Sequence, residues 1–207
     1  MDFVRPVQAV IPGAQGRILA VLAQTTAELN LRTIARLSGV SVAQASRVLP
    51  PLVELGIIER RDVPPSAQFR YVHEHLAARA VSFLVDAGRT VVEELRRTAT
   101  EIKPLPASVI VFGSFARREA DATSDIDVVV VRPRTIDEDQ ARWRASLDCW
   151  RDGAQRLTGN RIEIVEVSEV DFARLLRSRK PFWLDVQRDG IVLAGRSLDA
   201  LKGRRSA

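Results

Sequence analysis

Cysteine and histidine are nearly absent from this sequence. Its 207 residues include one cysteine, Cys149, and two histidines, His73 and His75. A structural zinc site needs about four such ligands, and a cysteine nucleophile needs a histidine base beside it. The composition therefore gives no support to a zinc site or to Cys-His chemistry.

Lysine and long apolar runs are also scarce. No apolar segment approaches the length of a membrane span, and residues 1–5 do not begin like a signal peptide. The formal net charge of +5 rests almost wholly on arginine, because lysine occurs only at Lys103, Lys180 and Lys202. We therefore expect a cytoplasmic protein with no membrane partner.

Two apolar runs flank the most informative stretch of the sequence. Residues 108–112 form a short β-branched run that ends at Gly113, and residues 127–131 form another that stops at Arg132. Both runs predict buried strands. Between them, Gly113-Ser114 is followed after ten residues by Asp125-Ile126-Asp127.

Asp125 and Asp127 are predicted to project from the same face of a strand start, because side chains alternate along a strand. Two neighbouring carboxylates repel each other, so a divalent cation is their natural partner, and oxygen-only ligands favour Mg²⁺ or Mn²⁺. Gly113 allows a ligand to approach the backbone, and Ser114 lies at a predicted helix start, where N–H groups attract phosphate. The alternative is that the aspartates merely cap a turn. The joint pattern favours a metal-bound nucleotide.

The segment Gly113-Ser114-Phe115-Ala116-Arg117, with its fixed spacing to the aspartate pair, resembles the signature of the DNA polymerase β nucleotidyltransferase superfamily. The branch it most resembles is that of the minimal nucleotidyltransferases, over residues 90–195. The resemblance implies a magnesium- or manganese-dependent transfer of a nucleoside monophosphate from a nucleoside triphosphate (NTP) to a hydroxyl. It also implies catalytic and metal-binding roles for Asp125 and Asp127, and nucleotide binding by Gly113, Ser114, Arg117 and Ser124.

The third carboxylate of that family has two candidates on one predicted strand, residues 161–167. Glu163 matches the position of the family's third acid, where aspartate is usual. Glu166 has the opposite parity, so only one of the two can face the aspartates. We expect Glu163 to complete the catalytic and metal-binding set. The longer side chain leaves open the alternatives that Glu166 serves or that neither is a ligand.

Arg118 departs from the pattern, because the minimal enzymes usually carry glycine after Ala-Arg. A glycine there would end the short helix in a left-handed conformation. An arginine predicts instead that the helix runs on or that the loop takes another path. Arg117 has two interpretations of its own: it contacts a triphosphate, or it is a solvated charge.

The first third of the sequence predicts a different kind of unit. Three segments have helical patterns: residues 15–24, 31–37 and 42–55. A turn at Gly39 joins the second to the third, which gives a helix-turn-helix, and residues 57–61 and 68–72 predict a β-hairpin wing. The whole resembles the winged helix-turn-helix domains of bacterial repressors.

That resemblance implies nucleic-acid contacts from the third helix and the wing. The residues it points to are Ser41, Gln44, Ala45 and Arg47 on the helix, and Arg60, Arg61 and Arg70 on the wing. Residues 1–75 hold eight arginines against six acidic residues, so the expected basic footprint of a DNA-binding domain is weak. Protein docking or the formation of a homodimer is therefore the alternative to DNA binding.

Together these features predict an α/β (α+β) protein. We expect a winged helix-turn-helix at 1–75, connecting helices at 76–106, and a minimal nucleotidyltransferase domain at 107–200 with a short mixed β-sheet flanked by helices. Similar bacterial proteins belong to toxin-antitoxin or defence modules, which implies a protein or tRNA hydroxyl as acceptor. The alternative function is a DNA-binding transcriptional regulator whose transferase core senses nucleotide or is inactive.

Overall fold

The helical patterns of the first third produce a winged helix-turn-helix unit, Arg5–Ala87, in the computed structural model, which describes residues 1–202. Its helices are α1 (Pro6–Val10), α2 (Gly13–Leu22), α3 (Leu31–Ser38), α4 (Val42–Glu54) and α5 (Leu76–Val85). Its strands are β1 (Leu29–Asn30), β2 (Ile58–Val63) and β3 (Ser66–Tyr71), which pair antiparallel in the order β1-β3-β2. The predicted helix-turn-helix and wing are confirmed.

Local caps fix the ends of α3 and α4. The Asn30 side chain accepts a hydrogen bond from the backbone N–H of Thr33 at 2.9 Å, and Gly39 ends α3 with a φ of 62°. A reciprocal capping box between Ser41 and Gln44 starts α4. These caps set the turn between the two helices, and α4 then continues through the proline pair Pro50-Pro51.

The second unit contains Met1–Val4 together with the chain from Gly88 onward. Its helices are α6 (Ala87–Ala99), α7 (Gly113–Ala116), α8 (Ala141–Thr158), α9 (Glu169–Leu175), α10 (Pro181–Asp189) and α11 (Leu198–Lys202). Its strands are β4 (Ser108–Phe112), β5 (Ile126–Arg132), β6 (Ile162–Ser168) and β7 (Ile191–Gly195). The segment expected to connect the domains, residues 76–106, is divided between the units, with α5 in the first.

The sheet of the second unit is mixed, as predicted. Its strand order is β6-β5-β4-β7, with β5 and β6 parallel and the other two pairs antiparallel. Alternate residues of β5 pack on opposite faces. Val128 belongs to a core with Leu95 of α6 and Trp143 of α8, whereas Val129 belongs to a core with Phe172 of α9 and other residues of α9 and α10. This layering fixes which face each side chain of β5 and β6 can reach.

Among residues 1–202, no helix is both long enough and apolar enough to cross a membrane.

Candidate active site

Asp127 is the second residue of the central strand β5, and two neighbouring strands fix its surroundings. It lies opposite Phe112 of β4 and opposite Glu163 of β6. In-register residues on paired strands project from the same face, so Asp127 and Glu163 share the face that also carries Val129. The site therefore opens on the α9 and α10 side of the sheet, at the start of β5.

Gly113 is required by the close approach of this carboxylate. Its φ is +73°, and a Cβ added there would lie 2.6 Å from Oδ2 of Asp127. A side chain at position 113 would therefore strain the backbone and also push Asp127 away. Ser114 follows directly in α7, so the Gly-Ser turn lies against the Asp127 carboxylate.

The surroundings of Asp127 disfavour the ionised form of its carboxyl group. Burial raises the pKa of the Asp127 carboxyl, and the charges of Asp125 and Glu163 raise it further, while Arg117 acts in the opposite direction. Asp125 is exposed and lies one residue before β5. Three acidic side chains thus interact electrostatically at one end of the sheet.

The donor set fits a divalent cation at Asp125 and Asp127, because both supply carboxylate oxygens and their repulsion is relieved by positive charge. Glu163 pairs with an arginine instead: its Oε1 lies 2.5 Å from Nη2 of Arg161, and its side chain is 40% exposed. Within residues 1–202, no group of three or more His, Cys, Asp or Glu side chains is arranged to hold a metal ion. An exposed ion pair contributes about 1 kcal/mol or less, so Glu163 can leave Arg161 at little cost.

Glu166 lies on the opposite face of β6 and has other partners. Its Oε1 accepts a hydrogen bond from Nε of Arg132 at 2.6 Å and another from Nε1 of Trp143 at 3.0 Å. These bonds satisfy a largely buried arginine and a buried indole N–H, which gives Glu166 a structural role in the α8 side of the core.

The loop before the aspartate pair is held by Asn160, which the sequence indicates only as part of a turn. Asn160 is 2% exposed, and its Nδ2 donates to the carbonyls of Asp121 at 3.0 Å and Ser124 at 2.9 Å. The hydroxyl of Ser124 in turn bonds to Asp121. Ser124 therefore supports the loop with its side chain, and an asparagine after Gly159 offers no sequence signal beyond an ordinary turn.

The expectation for Arg118 is wrong. Arg118 has a φ of 63°, the left-handed conformation in which glycine was expected, and α7 ends at Ala116. The backbone N–H of Arg118 donates to the carbonyl of Phe115 at 3.0 Å, and that of Glu119 to Ser114 at 2.8 Å. This is the hydrogen-bond pattern of a Schellman cap, which requires a left-handed residue whatever its side chain.

Arg117 forms two ion pairs beside the site. Its Nε lies 2.8 Å from Glu119 and its Nη1 lies 2.8 Å from Asp189, the last residue of α10. The hydrogen bonds that Arg117 donates to Asp189 and Glu119 raise the pKa of its guanidinium. Arg117 is therefore more than a solvated charge. Asp189, like Asn160, is a residue whose role the sequence did not indicate.

The residues implied in nucleic-acid contacts are exposed, with one exception, but most already have partners. Ala45 is fully buried, so its expected contact with bases is wrong. Ser41 and Gln44 form the capping box of α4, and Arg47 is exposed one turn later. The wing arginines pair with acids: Arg60 with Asp62, Arg61 with Glu28, and Arg70 with Glu59. This pairing reduces the positive charge that the wing presents.

In the second unit, the small mixed sheet places an acidic pair at the start of a central strand, against a glycine turn. This arrangement is that of nucleotide-transferring enzymes. Comparison with protein families then identifies both units. Residues 92–187 match the nucleotidyltransferase domain, and residues 16–62 match the IclR helix-turn-helix domain. A search among curated proteins finds no match.

The chain therefore contains a nucleotidyltransferase domain that follows an IclR-type helix-turn-helix domain, and the predicted fusion is confirmed. The matched catalytic range includes Gly113, the aspartate pair and Glu163 but ends two residues before Asp189. The helix-turn-helix domain supports DNA binding by the first unit.

Proposed function

We propose that this protein transfers a nucleoside monophosphate from an NTP to a hydroxyl of a protein or a tRNA, with Mg²⁺ or Mn²⁺ as cofactor. Asp125 and Asp127 would hold the cation, and Glu163 would join them once it leaves Arg161. The observation that carries this proposal is the Asp127 carboxylate, which is packed against Gly113 and electrostatically coupled to Asp125 and Glu163.

The residues of the chain have distinct tasks in this reaction. The Gly113-Ser114 turn and the Arg117 guanidinium would bind the triphosphate and orient it for in-line attack. When bound, the cation would neutralise charge on the triphosphate and acidify the acceptor hydroxyl. A bond forms between the acceptor oxygen and the α-phosphorus while the bond from that phosphorus to the bridging oxygen breaks. Pyrophosphate leaves, and Glu163 takes the hydroxyl proton.

The openness of the site supports a large acceptor. Asp125 is exposed, and the Glu163 side chain is 40% exposed, so both acids are accessible from solvent. A macromolecular hydroxyl can approach such an edge directly, whereas small-molecule sites usually enclose most of their ligand. We therefore propose a protein or a tRNA as the acceptor. We also propose that the protein acts in the cytoplasm, in a toxin-antitoxin or defence module.

The test uses the full chain with Mg²⁺ and ATP, GTP, CTP or UTP labelled on the α-phosphate, in the presence of cellular RNA or protein. The proposal predicts that label from at least one NTP becomes covalently attached to RNA or protein and that pyrophosphate is released in equal amount. Mn²⁺ should replace Mg²⁺, and EDTA should abolish the reaction. Label that stays in the free nucleotide under all these conditions would contradict the proposal.

A second candidate function is a DNA-binding regulator with a nucleotide-sensing core. The observations that favour it are the IclR-type helix-turn-helix and the engagement of Glu163 with Arg161, which leaves two acids, Asp125 and Asp127, for a cation. In the same experiment, a sensor would bind an NTP without releasing pyrophosphate, and the NTP would change the affinity of the protein for DNA.

A further inference from the structure

Asp189 ends α10 with a side chain that is only 8% exposed, and two arginines satisfy it. Its Oδ2 lies 2.8 Å from Nη1 of Arg117, and its Oδ1 lies 2.8 Å from Nε of Arg188. Hydrogen bonds from Arg188 and then from Arg117 hold the pKa of the Asp189 carboxyl well below its usual range. The carboxylate is therefore a fixed anion that can anchor Arg117.

The two bonds of Arg117 define the plane of its guanidinium. Nε donates to Glu119 and Nη1 donates to Asp189, both at 2.8 Å. A guanidinium has five N–H donors in a rigid fork, and these contacts use Nε and Nη1. Within the part of the chain that the structure describes, Nη2 of Arg117 makes no hydrogen bond, so its two N–H groups can donate to an anionic ligand.

Arg117 lies directly beside the nucleotide turn. Its backbone N–H donates to the carbonyl of Gly113 at 3.1 Å, and its charge lowers the pKa of Asp127 against the effect of burial. A guanidinium near enough to act on Asp127 would pair with it if it were free to move, and Asp127 would then be lost as a cation ligand. Asp189 competes with Asp127 for Arg117.

We propose that Asp189 is a positioning residue for NTP binding: it holds Arg117 away from the aspartate pair and turned toward the triphosphate. This inference rests on the proposed function, since it assigns a role in binding the substrate of that reaction. Asp189 itself contacts no reacting atom. A carboxylate that only braced α7 against α10 would affect stability but would leave NTP affinity unchanged.

Asp189→Asn tests the proposal, and Asp185→Asn is the matched control. Asp185 also lies on α10 and bonds to Arg188 at 2.7 Å, but the structure gives it no contact with Arg117. The measurement is the dissociation constant of the full chain, with Mg²⁺, for whichever of ATP, GTP, CTP and UTP the wild type binds most tightly. Asp189→Asn should raise it about tenfold, the usual effect of losing a charge-assisted hydrogen bond, and Asp185→Asn should change it less than about twofold.

Two further variants separate positioning from stability. Asp189→Glu keeps the anion and should show an intermediate affinity, which also provides a result if Asp189→Asn folds poorly. In an Arg117→Gln background, Asp189→Asn should have almost no further effect on NTP binding, because the two residues act as one unit. In turnover, Asp189→Asn should raise KM about tenfold and change kcat less than about threefold.

The outcomes distinguish this inference from the function on which it rests. If the wild type binds an NTP and Asp189→Asn binds it equally well, the positioning role is wrong and the proposed function stands. An equal loss in Asp185→Asn, or an undiminished effect in the Arg117→Gln background, also overturns the positioning role. A wild type that binds no NTP overturns both proposals.

Discussion

At the scale of single residues, backbone conformation decides what positions 113 and 118 tolerate. Gly113 and Arg118 both have a positive φ, at +73° and 63°; Gly113 begins the short helix α7, and Arg118 lies two residues after its end. Glycine suits the first because Asp127 occupies the space of a Cβ. Arginine at the second satisfies the Schellman cap at an energetic cost, since L-residues are disfavoured in the left-handed region.

Arg118→Gly should therefore stabilise the protein. Removing the Cβ relieves the left-handed strain, and the added freedom of the unfolded chain offsets part of the gain, so the free energy of unfolding should rise by about 0.5 to 1 kcal/mol. Urea unfolding measures it. Arg118→Ala is the control: it removes the same charge but keeps the Cβ, and a gain as large in Arg118→Ala would show that charge, not backbone strain, is responsible.

Gly113→Ala should abolish nucleotidyl transfer. The added methyl collides with Oδ2 of Asp127 at 2.6 Å and displaces the carboxylate, so activity should fall at least about a hundredfold. Gly39→Ala is the matched control, because Gly39 also has a positive φ, of +62°, but no atom of residues 1–202 lies within 4 Å of its added Cβ. Each variant should lose about 1 kcal/mol of stability. Full transfer activity in Gly113→Ala would contradict the site geometry.

At the scale of elements, the strands could be predicted more securely than the side-chain contacts between residues far apart in the sequence. The β-branched runs of β4 and β5 are continuous and buried on both faces, so composition alone indicates them. The alternating faces of β6 follow from a period of two, which is enough to separate Glu163 from Glu166 by sequence position alone. The roles of Asn160 and Asp189 depend on residues 36 and 72 positions away along the chain. A local sequence pattern does not predict contacts between residues so far apart.

The two glutamates of β6 should respond oppositely to the loss of charge. Glu163→Gln should remove most transfer activity and leave stability nearly unchanged, because its pair with Arg161 is exposed. Glu166→Gln weakens bonds to Arg132 and Trp143 and should lower the free energy of unfolding by about 1 to 2 kcal/mol while the variant, when folded, retains activity.

Thermal unfolding of both variants measures their stability. Label transfer, measured below their melting temperatures, measures their activity, and the two results together separate these expectations. The reverse pattern, with activity lost in Glu166→Gln and kept in Glu163→Gln, would show that the wrong glutamate had been assigned to the site.

At the scale of the whole molecule, the sequence predicts two units and their classes, but not their surface charge. The helix-turn-helix follows from capping residues and apolar spacing, which are local properties. The wing arginines suggest a basic surface, yet Arg61 pairs with Glu28, which is 33 residues away, and Arg70 pairs with Glu59 across the β-hairpin. Counting charges along the sequence does not show such pairing, so the charge count overstates the positive charge that the wing presents.

Asp127→Asn should separate catalysis from folding. The raised pKa of Asp127 means that its ionised form is less favourable in the folded protein than in the unfolded chain. This cost appears as pH rises above the unfolded value and is relieved as pH falls through the raised folded pKa. At neutral pH without metal, Asp127→Asn should therefore raise the free energy of unfolding, as removal of active-site charge often does. Urea unfolding at pH 7 measures this, and a loss of stability would contradict it.

The most direct test of the central claim is transfer of α-phosphate label to RNA or protein by Asp127→Asn, beside the wild type, with Mg²⁺ and each NTP. We predict labelled product and released pyrophosphate with the wild type, and none above background with Asp127→Asn, although that variant stays folded and keeps any DNA affinity of the wild type. Undiminished transfer by Asp127→Asn would contradict the assignment of this aspartate and the mechanism built on it.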